Sequence, residues 1–210
     1  MPLLHHSSAT PFQRPRVLIV GCGDIGMRVL QQLTRFAAYR VFALTSQPAR
    51  FTEIRAMGAV PILGNLDQAE SLWRLGGLAE TVIHLAPPQQ TGNTDLRTQN
   101  LLRSLSQGVS DVRRLVYVST TGVYGDCAGG DAVETAIANP QSERAKRRWN
   151  AEWQLRQWAL LHHVRLSILR VPGIYDANRL PIERIKAGTP ALLTELDAYS
   201  NHIQADDLAR

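Results

Sequence analysis

The 210-residue chain has the length of one domain or slightly more, and its 44% hydrophobic and 20% charged residues are typical of a globular protein with a sizeable core. This composition excludes a wholly disordered chain, and no apolar run approaches the ~18 residues that a membrane span requires. The formal net charge of +5 comes from arginines scattered along the chain without a nucleic-acid-binding motif, so we expect no nucleic-acid partner.

Residues 1–15 are rich in Pro, Ser and His without periodicity, which predicts a flexible tail. His5 and His6 are adjacent in this tail, but such a lone pair does not predict a metal site, and we expect none. The segment has no apolar stretch long enough for a secretory leader. Since Cys22 and Cys127 are too few for a disulfide framework, we expect a cytoplasmic protein without membrane contact.

Short apolar runs alternate with amphipathic segments along the rest of the chain. We predict strands at 16–20, 40–44, 59–63, 81–86, 115–119 and 164–170. Apolar residues at helical spacing predict one helix after the first strand and others over 95–106 and 142–161. Strands that alternate with helices indicate an α/β fold, a doubly wound parallel sheet with helices on both faces.

A glycine-rich sequence separates the first predicted strand from the first predicted helix. It reads Gly21-Cys22-Gly23-Asp24-Ile25-Gly26, the GxGxxG pattern, in the strand–helix context that makes this pattern meaningful. Gly21 allows the tight turn, Gly23 lets the backbone approach a pyrophosphate, and Gly26 permits close packing of helix on strand. Because the helix N-terminus that begins at Asp24 and Ile25 attracts phosphates, the segment predicts a dinucleotide site in a Rossmann-type fold.

The end of the second strand bears on the choice between NAD and NADP. An NAD-specific site holds the ribose 2′-hydroxyl with a carboxylate ~20 residues after the glycines, but no Asp or Glu occurs in this stretch. Thr45 and Ser46 would bond to a 2′-phosphate, and Arg50 or Arg28 would pair with it. The sequence therefore favours NADP, with NAD as the alternative.

Five segments carry recognisable motifs in a fixed order. They are residues 82–86 (VIHLA), 115–125 (LVYVSTTGVYG), 140–152 (PQSERAKRRWNAE), 169–175 (LRVPGIY) and 201–209 (NHIQADDLA). Together they resemble the extended short-chain dehydrogenases/reductases, the NAD-dependent epimerase/dehydratase family, over roughly residues 16–210. The resemblance implies an NAD(P)-binding Rossmann domain over 16–175, in which the cofactor also contacts Leu85, Ala86, Pro87 and Ser119.

The end of the chain is shorter than the family pattern. Family members continue well past the segment that resembles residues 201–209, adding more of the substrate-binding domain. We therefore expect residues 176–210 to form only part of a small substrate-binding segment, with a turn at 187–190. Either the protein is a short member of the family or the chain is a fragment of a longer one.

The family's catalytic positions carry unusual residues here. The alignment of the 140–152 segment puts Arg144 where the family has its catalytic Tyr and Arg148 where it has its Lys, while Thr120 falls at the catalytic Ser/Thr. In the family the Tyr exchanges a proton with the substrate, but Arg keeps its proton at physiological pH. Arg144 and Arg148, at i and i+4 of one helix face, would instead bind anions of the substrate or cofactor. Thr121, Tyr124 and Tyr175 are the expected substrate-lining residues.

The resemblance implies an NAD(P)-dependent oxidoreductase or epimerase that acts on a small-molecule substrate, similar to nucleotide-sugar epimerases and dehydratases. Thr120 would orient a substrate oxygen, and Arg144 would polarise a carbonyl electrostatically. Loss of the Tyr favours a different hypothesis, a non-catalytic dinucleotide-binding sensor or scaffold. Family members often dimerise through the helices that correspond to 95–106 and 142–161, so a homodimer is the expected assembly.

Overall fold

The computed structural model describes residues 14–108, 111–188, 190 and 201–210. His5, His6 and nearly all of the expected tail lie outside the described residues. Residue 189 of the expected turn and residues 191–200 of the expected substrate-binding segment lie outside them as well.

Eight strands and six α-helices lie within the described residues. In chain order they are β1 (Arg16–Val20), α1 (Asp24–Thr34), β2 (Arg40–Thr45), α2 (Phe51–Ala56), β3 (Val60–Leu63), β4 (Thr81–His84), α3 (Leu96–Leu105), β5 (Arg114–Thr120), α4 (Glu143–Leu161), β6 (Arg165–Val171), β7 (Gly173–Tyr175), α5 (Ile182–Lys186), β8 (His202–Gln204) and α6 (Ala205–Ala209). The six predicted strands and three predicted helices are confirmed, with ends that differ by at most two residues.

Six of the strands form one parallel sheet in the order β3-β2-β1-β4-β5-β6. β1 lies at its centre, where Leu18 pairs with Phe42 on one side and with Val82 on the other. Because the chain crosses from β3 back to β4 beside β1, the winding direction reverses there. In such sheets a ligand crevice opens outside the carboxyl ends of the strands at the reversal point.

Side chains of the central strand serve two separate cores, one on each face of the sheet. Leu18 and Val20 belong to a cluster that includes Leu101 of α3 and Leu155 of α4. Ile19, between them, belongs to a second cluster with Leu30 of α1. A parallel strand covered on both faces is apolar throughout, which explains the uninterrupted RVLIV run that the sequence shows.

Side-chain caps fix the start of the two long helices on the β4–β5–β6 side. The buried Asp95 carboxylate accepts hydrogen bonds from the Arg97 and Thr98 backbone N–H groups, at 3.0 and 3.2 Å, and begins α3. Ser142 Oγ accepts a hydrogen bond from Ala145 N at 3.2 Å and begins α4. Both caps lie on loops that leave the carboxyl ends of strands, so the first turns of both helices reach the ligand-binding edge.

A small second sheet, β7 with β8, follows the main one. The adjoining helix α6 packs against α1, and a three-way ion cluster reinforces this contact. Arg28 of α1 pairs with Asp24 at 2.9 Å, with Asp176 at 2.9 Å and with Asp206 of α6. No α-helix in the described ranges is long and apolar enough to cross a membrane.

Candidate functional site

The glycine turn after β1 has the shape that the sequence predicts. Gly21 has φ +100°, and a Cβ on it would lie 2.5 Å from Ala86 N. A Cβ on Gly26 would collide with the Gly21 carbonyl oxygen, so both positions require glycine for packing alone. Gly23 differs, because a Cβ there would meet nothing within 4 Å. The space in front of Gly23 is thus the open cradle that a pyrophosphate needs, and the residues fit a dinucleotide.

A cavity of about 310 Å³, here called the first cavity, extends from this turn along the ends of β1, β2, β3 and β4. It brings together most of the predicted cofactor residues. These are Gly21, Gly23, Thr45, Ser46, Arg50, Ala86 and Pro87. Asp24, Ile25, Gly26 and Leu85 are not among its lining residues. Asp24 instead pairs with Arg28, and the Leu85 side chain packs in the core on the α1 face.

Two arginines line the first cavity, and each of them is ion-paired with a carboxylate outside the lining. Its described lining contains Arg50 and Arg97 and no carboxylate. Arg50 donates to the Cys22 carbonyl oxygen in the glycine turn and to Glu53 at 3.2 Å. Arg28, the other predicted partner of a 2′-phosphate, lies away from this cavity in its cluster of three carboxylates.

Arg97 lies at the border of the first cavity, a position that the sequence did not reveal. Its guanidinium forms two parallel hydrogen bonds with Asp67, at 2.7 and 2.6 Å, and a third with the Pro87 carbonyl oxygen at 3.1 Å. The Arg97 hydrogen bond holds the pKa of Asp67 below its usual value. The pair connects α3 to the loop after β3. A signal existed, because Arg97 follows the Asp95 cap of a helix whose first turn faces the carboxyl edge.

A cavity of about 520 Å³, here called the second cavity, lies at the ends of β5 and β6 beside the first turn of α4. It brings together five of the predicted site residues, which are Ser119, Thr120, Thr121, Arg144 and Arg148. Its described lining includes no Asp or Glu. The i, i+4 relation of the two arginines predicted this shared face of α4.

Arg148 is 8% exposed and is held rigidly at the floor of the second cavity. Its Nη1 donates to the Val118 carbonyl oxygen at 2.8 Å and to the Tyr117 hydroxyl at 3.1 Å. Burial raises the pKa of Tyr117 to about 12. Tyr117 is therefore a fixed acceptor for the guanidinium, and it is fully buried.

The Thr120 hydroxyl oxygen already takes part in one hydrogen bond of the protein. Its Oγ1 accepts a hydrogen bond from Gly122 N at 3.2 Å, as the cap of the short turn that follows β5. The hydroxyl hydrogen stays available to donate to an oxygen in the second cavity. The arrangement makes Thr120 a hydrogen-bond donor toward a ligand.

Tyr124 and Tyr175, expected to line the substrate pocket, are not among the lining residues of the second cavity. The Tyr124 ring packs against the guanidinium of Arg170, 4.5 Å from its centroid. Tyr175 is half-exposed on β7. The Tyr124 ring is oriented by Arg170, and the Tyr175 ring by the small β7–β8 sheet. The sequence patterns of single strands and helices do not specify either contact.

A buried polar chain supports the floor of the second cavity. Thr98 Oγ1 donates to Asp95 at 2.7 Å and lies 3.0 Å from His84 Nε2, and the His84 ring contacts Tyr117. Burial lowers the pKa of His84 to about 3, so the imidazole is neutral at pH 7. A neutral imidazole beside the Arg148 cation adds no charge to the cavity.

Arg147 is a second buried cation of α4, next to Arg148. It is 6% exposed, and its Nη1 donates to the Gly92 carbonyl oxygen at 2.7 Å. This contact ties α4 to the loop between β4 and α3. Lys146, by contrast, is exposed to solvent. Helical spacing is the sequence feature that points to Arg147, because residues three apart, such as Arg144 and Arg147, are neighbours on a helix surface.

Several solved structures have a fold similar to that of this chain. A conserved protein of unknown function from Silicibacter pomeroyi is 24% identical, with a TM-score of 0.72 over 93% of this chain and 65% of its own. A dTDP-glucose 4,6-dehydratase double mutant from Streptomyces venezuelae, solved with NAD bound, is 22% identical, with a TM-score of 0.74 over 92% of this chain and 69% of its own. UDP-glucose 4-epimerase from Thermotoga maritima is 20% identical, with a TM-score of 0.72 over 92% of this chain and 71% of its own.

The likeness to these structures concerns the fold, and this chain spans about two thirds of their lengths. A search of curated proteins gave no significant match. The sequence pattern of the family described as the NAD dependent epimerase/dehydratase family matches residues 17–210. The match covers nearly the whole chain, from the first strand to the last helix. The chain therefore belongs to the NAD-dependent epimerase/dehydratase family.

Proposed function

We propose that the protein is an NAD(P)-dependent oxidoreductase or epimerase that acts on a small-molecule substrate in the second cavity. The observation that carries the proposal is the pair of cavities on one sheet edge, with the open space at Gly23 in the first and Thr120 with two arginines in the second. A bound nicotinamide dinucleotide would supply a hydride donor or acceptor.

The residues of this chain have separate roles in the proposal. Gly23 and the α1 N-terminus hold the pyrophosphate. Arg148, fixed by Val118 and Tyr117, binds the hydroxyls of the nicotinamide ribose or a phosphate. Thr120 donates its hydroxyl hydrogen to a substrate oxygen. Because no described lining side chain titrates near neutral pH, solvent supplies or removes the proton at that oxygen.

NADP is the cofactor that we propose, in preference to NAD. The first cavity offers the hydroxyls of Thr45 and Ser46 and the guanidinium of Arg50 at the end of β2. Its described lining has no carboxylate to receive a ribose 2′-hydroxyl. An anionic 2′-phosphate is complementary to this environment, whereas the diol of NAD lacks its usual acceptor.

A second candidate function is a non-catalytic dinucleotide-binding sensor or scaffold. It is favoured by Arg144, a permanently charged group at the position of the family's proton donor. Both candidates bind the dinucleotide, and they differ in turnover.

Titration calorimetry with NADP, NADPH, NAD and NADH tests the shared part of the proposal, and absence of binding by all four would refute it. A panel of carbonyl compounds, alcohols and nucleotide sugars then separates the candidates. Turnover that Thr120→Ala abolishes supports the enzyme. Tight cofactor binding without turnover across the panel supports the sensor or scaffold.

We also propose a homodimer through the exposed face of α3 and α4. This face carries Trp153 and Leu161, which are 55% and 74% exposed and lie beside Gln99 and Arg103 of α3. Large apolar side chains gathered on one surface are typical of an interaction site.

We propose a cytoplasmic location as well. Cys22 and Cys127 are both free thiols, which is typical of a protein in a reducing compartment.

A further inference from the structure

We infer that the second cavity holds an oxyanion of the substrate, a carboxylate or a phosphate, and that Arg144 is the residue that binds it. The inference deepens the proposed function, on which it rests, by naming the chemical class of the substrate. It is carried by the charges of the cavity, the partners of its two arginines and the state of its hydroxyl groups.

The charged side chains that line the second cavity are all positive among the described residues. Arg144 and Arg148 both line it, and its described lining contributes no Asp or Glu to offset them. A cleft lined by charges of one sign concentrates ligands of the opposite sign. The two cations lie on one face of α4, four residues apart, so their fields add at the same opening. A neutral substrate would make no use of this field.

The partners of the two arginines assign different roles to them. Arg148 is buried, and its Nη1 is committed to Val118 and Tyr117, so it is a fixed cation at the cavity floor. The Arg144 side chain is exposed and makes no ion pair or hydrogen bond with any of the residues that the structure describes. Its planar guanidinium therefore offers a complete set of donors, the arrangement that binds carboxylate and phosphate bidentately.

The start of α4 adds to the attraction. Ser142, which caps this nineteen-residue helix, lines the cavity together with Ala145 of the first turn. The partial positive charge of a helix N-terminus favours anions within that turn. Arg144 lies in the same turn, so an anion bound to its guanidinium also faces the helix end.

The hydroxyl groups give the ligand a direction. Thr120 Oγ1 already accepts from Gly122 N, which leaves its hydroxyl hydrogen to donate to a second oxygen of the substrate. A substrate with an oxyanion next to its reacting carbon would place the anion on Arg144 and the neutral oxygen on Thr120. Two recognition points of different chemistry fix the orientation of even a small molecule.

Neighbouring cations of the same turn do not share this role. Arg147 is buried and donates to the Gly92 carbonyl oxygen. Lys146 is exposed and is not among the lining residues of the cavity. Lys146 therefore supplies a matched control, a charge of the same sign two residues away that does not face the ligand.

The test measures anion binding by the full chain, both without cofactor and with saturating NADPH. The probes are oxamate, with a carboxylate beside an amide carbonyl, inorganic phosphate, and oxamide as the neutral analogue of oxamate. We expect oxamate or phosphate to bind at least ~10-fold more tightly than oxamide. Arg144→Gln should remove at least ~10-fold of this affinity, and Lys146→Gln should leave it within ~2-fold.

The comparison between oxamate and phosphate identifies which oxyanion the cavity prefers. Equal binding of oxamide and both anions would overturn the inference, and so would unchanged anion binding by Arg144→Gln. Since anion binding is measured on cofactor-free protein as well, its outcome is independent of the dinucleotide titration. Failure of all four dinucleotides to bind would refute the proposed function while the anion result still decides the role of Arg144.

Discussion

The carboxylate of Glu152, which has no solvent exposure, lies 2.9 Å from Nη2 of Arg170. Ser119 Oγ donates to the same carboxylate at 2.6 Å, and Arg156 reaches it at 3.0 Å. The hydrogen bond to Glu152 raises the pKa of Arg170, which therefore stays charged. A side chain that lines the second cavity, Ser119, is thus fixed from below by a buried ion pair.

Glu152→Ala should destabilise the fold by about 3–5 kcal/mol, because it leaves the largely buried Arg170 charge without its partner. Denaturant unfolding measures the change. Glu183→Ala removes an ion pair with Lys186 that is largely exposed on both sides, and we expect a change within ~0.5 kcal/mol. A similar small loss in both variants would contradict the role assigned to Glu152.

Gly23→Ala should lower dinucleotide affinity by ~10–100-fold and leave the free energy of unfolding nearly unchanged. The Cβ meets no protein atom within 4 Å and occupies the space assigned to the pyrophosphate. Gly26→Ala is the structural counterpart, because its Cβ collides with the Gly21 carbonyl oxygen and should cost about 1–3 kcal/mol of stability. Calorimetric titration and denaturant unfolding are measured on both variants. Unimpaired binding by Gly23→Ala would place the cofactor elsewhere.

Ser46→Asp should weaken NADP(H) binding by at least ~10-fold, since a carboxylate at the end of β2 repels the 2′-phosphate. NAD(H) binding should be retained or improved, because the same carboxylate can accept the ribose hydroxyls. Ser46→Asn, of similar shape without the charge, is the control. Titration of all three proteins with both cofactors gives the preference directly. An unchanged ratio of the two affinities would contradict the assignment of Ser46 to the 2′ position.

Acidification should destabilise the protein through His84. Its folded pKa of about 3 is below the unfolded value of 6.5, so the unfolded chain binds the proton first. The contribution of neutral His84 to the free energy of unfolding is complete above pH ~6.5. It declines as the pH falls toward ~3, by at most about 1.4 kcal/mol per pH unit. Burial raises the pKa of Asp95, which acts with the opposite sign. Comparison of unfolding between pH 7 and 4 with the variant His84→Gln isolates the histidine, and parallel curves would refute its role.

Trp153→Arg should convert the proposed dimer to a monomer, because it places a charge on the exposed α3–α4 face. Sedimentation velocity measures the assembly at several concentrations. Phe36→Arg changes an aromatic residue that is 77% exposed just after α1, and it should leave the dimer intact. A wild-type protein that is monomeric at all concentrations would contradict the dimer proposal.

Much of the fold followed from local patterns in the sequence. The RVLIV run, the glycine turn and the serine cap of α4 each specify structure through residues close together in the chain. The relation of Arg144 to Arg148 followed from helical spacing for the same reason. Such features require no knowledge of which distant segments meet.

Contacts between distant segments explain what the sequence did not reveal. Arg28 looked like a partner for a phosphate, but Asp176 and Asp206, far along the chain, hold it elsewhere. Arg147 is buried because the loop at Gly92 folds over it. Tyr124, in the turn after β5, packs against Arg170 of β6. Each depends on tertiary packing, which overrides what local spacing predicts.

The Arg28 cluster also constrains the order in which the molecule is completed during synthesis. Arg28 and Asp206 are separated by 178 residues, so their ion pair cannot form until almost the entire described chain has left the ribosome. Arg28 can pair with Asp24 of its own helix from the start and with Asp176 once that residue has been made. The helix that begins at the glycine turn therefore reaches its final electrostatic environment only after the six-stranded sheet has been synthesised in full.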